Sequence, residues 1–400
     1  MSVLSGKKVL LGISGGIAAY KTPNLVRLFV KSGAEVRVVM TPSAKDFVTP
    51  LTLSTLSKNT VHSAFFDDDQ GEAEWTNHVE LGLWADFMLI APATANTLSK
   101  MATGNCDNLL IATYLSAKCP VFFAPAMDLD MHRHPSTRES FDALRRFGNI
   151  MIPAESGELA SGLHGEGRMA EPENIISFLE NHFLAQLPMR GKKVLITAGP
   201  TYEPIDPVRF IGNHSSGKMG YELADEAARL GAEVTLVSGP SACTTSVSGI
   251  TIVNVMTAAQ MLDACMIHFD DADIVIAAAA VADYRPVSAA KEKIKKEESL
   301  LSLTLEKTED ILATMGRKKK KQLLVGFALE TFDELTHAKE KIKKKNLDLI
   351  VLNSLRDEGA GFGSDTNKIT LIDKEMNVVP MSLKSKREVA ADIFQKIASL

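Results

Sequence analysis

The sequence predicts an α/β protein of two tandem domains, each a doubly wound, mostly parallel sheet with helices on its faces. Three observations carry this. A lysine-led apolar run opens each half on the same words, Gly6-Lys7-Lys8-Val9-Leu10 and Gly191-Lys192-Lys193-Val194-Leu195. Each opening is answered by Gly-Ala-Glu-Val and then Pro-Ser-Ala, at 33–36 and 42–44 and again at 231–234 and 240–242. Between opening and answer lie a glycine-bearing turn and a helical pattern, so both blocks read strand, helix, strand, the start of a Rossmann-like sheet.

In the first half, apolar runs bounded by turn residues predict strands at Lys8 to Ile13, Glu35 to Met40, Phe87 to Ala91 and Val121 to Ala124. Residues 185–190 follow a helical pattern and precede the restart, which places the boundary near Pro188: a domain at 1–187, a linker at 188–190 and a domain at 191–400. In the second half, strands are predicted at Val194 to Ala198, Val234 to Val237, Ile274 to Ala279, Leu323 to Gly326 and Leu349 to Leu352. Tyr284 to Lys307 is proline-broken, basic and too irregular for a crossover, so a loop or small hairpin with a function is expected. The second opening is also longer than the first by Thr201 to Asn213. A polar, proline-punctuated insertion there lies at the carboxyl edge of the sheet, where α/β proteins bind ligands.

At 400 residues, 45% hydrophobic and 23% charged, the chain can bury two cores. A net charge of −5 argues against general nucleic-acid affinity. Basic clusters at Lys293 to Lys296, Arg317 to Lys321 and Lys341 to Lys345 read as solvated helix faces or as partners of an anionic ligand. Four cysteines without CxxC spacing fit neither zinc cluster nor disulfide framework, and a reducing cytoplasm is the expected setting. The apolar stretch from Ala272 to Ala282 is too short to cross a bilayer, and neither export nor membrane insertion is expected.

Gly12 to Lys21 leaves a strand and enters a helix, so Ser14 and the amides around Gly15 are placed to hold a phosphate. A tight turn with small residues for helix packing is the alternative reading, and the motif lacks the GxGxxG spacing of NAD binding. Pro92 to Thr97 and Ala124 to Met131 follow two further strand ends, so three turns converge on one edge. His78 stands where a helix begins, a place more often taken, for a histidine read singly, by a surface or capping group than by a catalytic one.

In the second half, Gly212 to Lys218 satisfies GxxxxGK, but Met219 stands where a P-loop needs Ser or Thr and no apolar strand precedes it. Ser215, Ser216 and Gly217 instead cap a helix from Lys218 to Arg229, with amides free for an anionic substrate. Lys341 and Lys345 share a helix face, suited to phosphates or to solvent. Asp283 ends a small-residue run at a strand end, and Phe327 follows Gly326 as either site or core residue.

Taken in order, Gly12 to Lys21, His78 before Val79-Glu80-Leu81, Pro92 to Thr97 and Pro125-Ala126-Met127 with Met131 resemble the flavin-containing cysteine decarboxylases. Ile196 to Gly199, Asn213 to Gly220, Ala280 to Arg285 and Lys293 to Lys296 resemble phosphopantothenate-cysteine ligase. Over essentially the whole chain, the sequence is similar to the bifunctional family of coenzyme A synthesis. The resemblance implies a flavodoxin-like first domain binding FMN through Gly12, Ser14, Gly15, Thr41, Pro92, Thr94, Asn96 and Met127, with His78 catalytic. It implies that Met131, Gly165, Arg168 and Met169 meet the decarboxylase substrate. In the second domain it implies an acyl-cytidylate made from CTP and 4'-phosphopantothenate with Mg²⁺, which the amine of cysteine attacks. Asn213 would assist that intermediate, Lys293 would be the catalytic cation, and Asp283, Phe327, Lys341 and Lys345 would bind CTP. Ser215, Ser216, Gly217 and Lys218 would meet the substrate. A homo-oligomer with shared flavin sites and paired ligase domains is implied as well.

Two departures from the family pattern stand out. Asp128 replaces the usual asparagine after Pro-Ala-Met, and its charge repels a carboxylate unless it is protonated or paired. Ser161 stands where a flap cysteine normally protonates the enethiol. His164, three residues on, is the candidate replacement acid, with a reference pKa of about 6.5. These departures leave a second reading open, an active ligase joined to a regulatory or only oxidatively decarboxylating flavin domain.

Overall fold

The computed structural model describes residues 2–67, 74–159, 161–295, 301–330, 333–354 and 364–400. The chain divides into two units, Met1–Leu184 and Ala185–Leu400.

The first unit carries a six-stranded sheet in the order Val61–His62, Glu35–Met40, Lys8–Ile13, Phe87–Ala93, Val121–Pro125, Ile150–Met151, parallel throughout. Its central strands bury both faces. Val9, Leu11 and Ile13 join one core with Val36, Val38 and Met40, while Leu10 and Val39 point into the other. A strand buried on both faces must read as a continuous apolar run, which is why these were legible. Chain order reverses across Lys8–Ile13 and Phe87–Ala93, so their carboxyl ends diverge and leave a crevice.

The second unit repeats the plan in an eight-stranded sheet. Thr251–Asn254, Glu233–Ser238, Lys193–Ala198, Ile274–Ala277, Leu323–Glu330 and Leu349–Ser354 are parallel. Ile369–Asp373 and Val378–Pro380 add an antiparallel edge. Val194, Ile196 and Ala198 enter one core and Leu195 the other, as in the first unit.

The repeated words have a physical cause. Gly33 (φ 83°) and Gly231 (φ 92°) turn each crossover helix back into its second strand in the left-handed conformation. Lys8 then pairs with Glu35, and Lys193 with Glu233, in the same register.

Several expected strands change length. Ile274–Ala277 stops before Ala279, because the chain leaves the sheet to line a crevice, and Leu323–Glu330 runs past Gly326, which puts Phe327 inside a strand. Sequence reading missed Val61–His62, Ile150–Met151, Thr251–Asn254 and Val378–Pro380, edge strands too short or too exposed for a clear period. Ile369–Asp373, with most of its length buried, was missed as well. Within Tyr284 to Lys307, Tyr284–Pro286 pairs antiparallel with Leu305–Lys307 as a hairpin base. Lys296 of the basic cluster lies outside the described residues. Among those residues no helix is long and apolar enough to cross a membrane.

Candidate active sites

At the switch point of the first unit lies a cavity of about 880 Å³, within the range of about 300–1,000 Å³ usual for small-molecule sites. Three turns wall it. Ser14 Oγ donates to Pro92 O (2.7 Å) and accepts the Thr94 N–H (3.1 Å), fastening the first turn to the second. Gly15 lies so close to the turn that follows Glu35–Met40 that an added Cβ would stand 2.6 to 2.9 Å from Ser43 atoms. Gly15, Thr41, Thr94, Asn96 and Met127 line the cavity. Gly12, Ser14 and Pro92 do not: they shape the wall from behind, and an added Cβ on Gly12 would strike Leu110 at 2.5 Å.

A hairpin of Glu155–Glu158 and His164–Arg168 reaches the same cavity. Glu158, Ser161, Arg168 and Met169 line it, as do Asp128 and Met131. Gly165 packs against Leu129 instead, and His164 is exposed outside the lining. Among the described residues no cysteine lines the cavity. Each cation of the lining is already paired. Lys21, 5% exposed, donates to Met169 O (2.8 Å) and Glu171 (3.0 Å), Arg168 meets Glu171 (2.6 Å), and Lys100 meets Asp107 (2.5 Å). The hydrogen bond from Lys21 holds the Glu171 carboxyl below its usual range. Asp128 caps the helix Leu129–Arg133 through the Leu129 N–H (2.6 Å). Neither it nor Glu158 has a cation partner among the described residues.

His78 opens the helix His78–Trp84, which Asn77 caps. It is not in the cavity lining; its ring meets Phe65 edge-on, and its Nδ1 is buried without a hydrogen-bond partner.

In the second unit a cavity of about 650 Å³ opens at the corresponding switch point. It gathers Asn213, Asp283, Phe327, Lys341 and Lys345. Asn213 Nδ2 donates to Ala280 O, and Lys341 Nζ to Phe327 O (2.9 Å). Lys345 pairs with Asp310 (2.7 Å), which also caps the helix Ile311–Lys318 through the Ala313 N–H (2.9 Å). Burial works against the charge of Asp310, but Lys345 and that amide hold its carboxyl below the usual range.

Ser215, Ser216, Gly217, Lys218 and Lys293 lie outside this lining. Gly217, not a serine, is the N-cap of Lys218–Arg229, in the left-handed conformation (φ 82°), and Ser215 and Ser216 brace the turn before it. Lys218 pairs with Asp365 (2.5 Å). Lys386 is buried beside it, and desolvation followed by the Lys218 charge lowers its pKa.

Residues 2–184 match the family described as Flavoprotein, and residues 189–400 the DNA/pantothenate metabolism flavoprotein C-terminal domain. The chain is 44% identical over 400 residues to the coenzyme A biosynthesis bifunctional protein CoaBC of Bacillus subtilis (strain 168), covering 100% of this chain and 98% of that one. The chain belongs to the CoaBC family. It is also 46% identical over 388 residues to CoaBC of Vibrio cholerae, with 96% of each chain covered. A cysteine/cysteine sulfinic acid decarboxylase from an unknown prokaryotic organism is 56% identical over 358 residues, covering 88% of this chain and 99% of that one.

As a CoaBC family member the chain pairs a flavoprotein unit with a ligase unit, and the first cavity fits a flavin. Thr41 is nearly buried, lines the cavity and has an Oγ1 with no hydrogen-bond partner, a donor and acceptor set aside for a ligand. Ser43, Lys100 and Glu158 were missed in the first site, and Asp310 in the second. Asp310 alone had a local signal, an aspartate at the head of a helical pattern. The others come to the cavity from elements whose own sequence shows only turns and helix faces.

Proposed function

We propose that this chain makes 4'-phosphopantetheine in two steps, one in each cavity. In the second unit the carboxylate of 4'-phosphopantothenate attacks the α-phosphorus of CTP, releasing diphosphate and leaving an acyl-cytidylate. The amine of cysteine then displaces CMP to form the amide. Lys341 and Lys345 neutralise charge on the phosphates, Asp283 and Phe327 hold the nucleoside, and Asn213 donates to the acyl oxygen. Lys293 adds a cation in the transition state, and Ser215 to Lys218 hold the substrate's other end. Among the described residues no group of three or more His, Cys, Asp or Glu could hold a metal. Mg²⁺ is assigned to the nucleotide's phosphates, where it keeps several of its waters.

In the first unit Gly15, Thr41, Thr94, Asn96 and Met127 hold FMN. Bound FMN supplies reversible acceptance of a hydride, which a cysteine carboxylate needs because it has no adjacent electron sink. Met131, Arg168 and Met169 enclose the substrate, and the hairpin bearing Ser161 excludes water. His78 acts in the cavity of a neighbouring subunit of a homo-oligomer. It stands outside its own lining, on a unit that also exposes Phe66, Trp75, Val79 and Leu83.

The observation that carries the reading is the convergence on one cavity of Asn213, Asp283 and Phe327 from separate segments and of Lys341 and Lys345 from one helix. Supplying the purified protein with 4'-phosphopantothenate, cysteine, CTP and Mg²⁺ should yield 4'-phosphopantetheine by mass. A product lighter by two hydrogens means that nothing replaces the missing flap cysteine. Phosphopantothenoylcysteine alone would leave the ligase half standing and sink the decarboxylase half.

A second substrate is favoured by the charge pattern of the first cavity. Its cations are paired internally while Asp128 and Glu158 are not, an arrangement that prefers an ammonium to another carboxylate. Unacylated cysteine carries that ammonium, and the relative named as a cysteine decarboxylase supports it. Cysteine then loses CO₂ and gains a proton without net oxidation. Release of CO₂ from carboxyl-labelled cysteine is expected, and Asp128→Asn should shift the kcat/KM ratio about tenfold toward phosphopantothenoylcysteine. No release from cysteine, beside turnover of phosphopantothenoylcysteine, would remove this second substrate.

A further inference from the structure

Lys293 is exposed on an irregular stretch between the two strands of the Tyr284 to Lys307 hairpin. A long side chain on such a stretch has little to fix its direction unless the backbone beside it is held. Here it is held on both sides of one residue. Asp206 Oδ2 accepts the N–H of Ile294 (3.2 Å), and Arg209 Nη2 donates to the Ile294 carbonyl (3.3 Å). A third bond joins the same two segments, from the Ala290 N–H to Ile205 O (2.8 Å).

Asp206 is built for this task. Its side chain is 0% exposed, and Oδ1 accepts the N–H groups of Val208 (2.8 Å) and Arg209 (2.8 Å) while Oδ2 pairs with Arg209 Nη1 (3.2 Å). Burial opposes its charge, but those amides, the Ile294 amide and the guanidinium hold its carboxyl below the usual range. The insertion that carries it is itself anchored. Glu203 accepts the Ala258 N–H (2.8 Å), Tyr202 stacks on Phe210 (3.8 Å), and Asn213 at its far end lines the ligase cavity. The insertion thus carries Asn213 at its far end and holds the backbone beside Lys293 through its middle.

We infer that Asp206 is a positioning residue for the ligase reaction: with Arg209 it clamps the Ile294 peptide groups and so fixes the backbone from which Lys293 projects. The inference rests on the assignment of Lys293 as transition-state cation. Asp206 lies outside the lining of the ligase cavity, and it acts through its neighbour.

The test is diphosphate release in a single turnover of the full chain with CTP, 4'-phosphopantothenate and Mg²⁺, cysteine omitted. Asp206→Asn keeps the volume but loses the charge that holds Arg209 and the Ile294 amide. It should slow release at least tenfold while CTP binding stays within about twofold. Lys293→Gln should slow it further, and the double variant should be no slower than Lys293→Gln alone, since a residue acting only through Lys293 has nothing left to act on. Effects that multiply in the double variant would overturn the inference, as would an Asp206→Asn protein whose CTP binding weakens as much as its rate. An unchanged rate in Lys293→Gln marks a different failure, that of the Lys293 assignment, and takes the inference with it. If Asp206→Asn does not fold, Ala290→Pro, which removes the third latch donor, is put through the same cycle with the same expected non-additivity.

Discussion

Replacing Gly15 by alanine should strip the first unit of its flavin. The added Cβ would stand 2.6 Å from Ser43 Cβ and 2.8 and 2.9 Å from its backbone carbon and oxygen, closer than carbon atoms pack. Backbone cannot swing aside as a flexible side chain does, so one of two turns has to move, and both line the cavity. A site that must hold its groups within about 0.5 Å does not survive such a shift. Flavin released per mole of protein, read from its visible absorbance after denaturation, should fall at least tenfold. Ligation should persist, because Gly15 belongs to the other unit. Undiminished flavin content would show that the turns of Gly15 and Ser43 do not form the cofactor's wall.

The second large effect is expected at Gly316. It is buried on the helix Ile311–Lys318, and an added Cβ would lie 2.0 Å from the carbonyl oxygen of Lys345 on Glu334–Lys345. Alanine is favoured over glycine inside a helix by about 1 kcal/mol, but overpacking costs about 1–3 kcal/mol and occasionally more. The clash wins, since the atom it meets is backbone. The helices must part, and with them the Asp310–Lys345 pair (2.7 Å) and the Asn346 Nδ2 bond to Gly316 O (3.1 Å). Gly316→Ala should lower the stability of the second unit by about 2 kcal/mol and raise KM for CTP at least tenfold. Calorimetry and steady-state ligation test the two parts. A variant with unchanged KM would mean that Lys345 does not set nucleotide affinity.

Much of the fold was legible because buried parallel strands leave a coarse signal. Leu10 and Leu11, or Leu195 and Ile196, face opposite cores, so the sequence stays apolar at every step and the strand ends are marked by turns. Val61–His62 and Ile150–Met151 left no such signal, since two residues cannot display a period. The sites divide in the same way. Gly15, Thr94 and Asp283 could be placed at strand ends from order alone. That Ser14 and Pro92 lie behind the wall rather than in it, and that His164 points away while Glu158 faces in, could not be read from one dimension.

The sequence by itself determined the tandem α/β plan and the family, and it raised the expectation that Asp128 and Ser161 depart from the pattern the chain resembles. Each is a local matter: an unbroken apolar run, a glycine that tolerates a left-handed turn, or one residue at one position of a motif. Only the tertiary structure decided which charges are already spoken for. Lys21, Lys100 and Arg168 are sequence cations that the fold neutralises with Glu171 and Asp107, while Asp206 is a sequence anion that it buries to hold the backbone next to Lys293. Partnership between groups as far apart in the chain as Lys21 and Glu171, or Asp206 and Ile294, depends on packing, and a linear pattern holds no record of it.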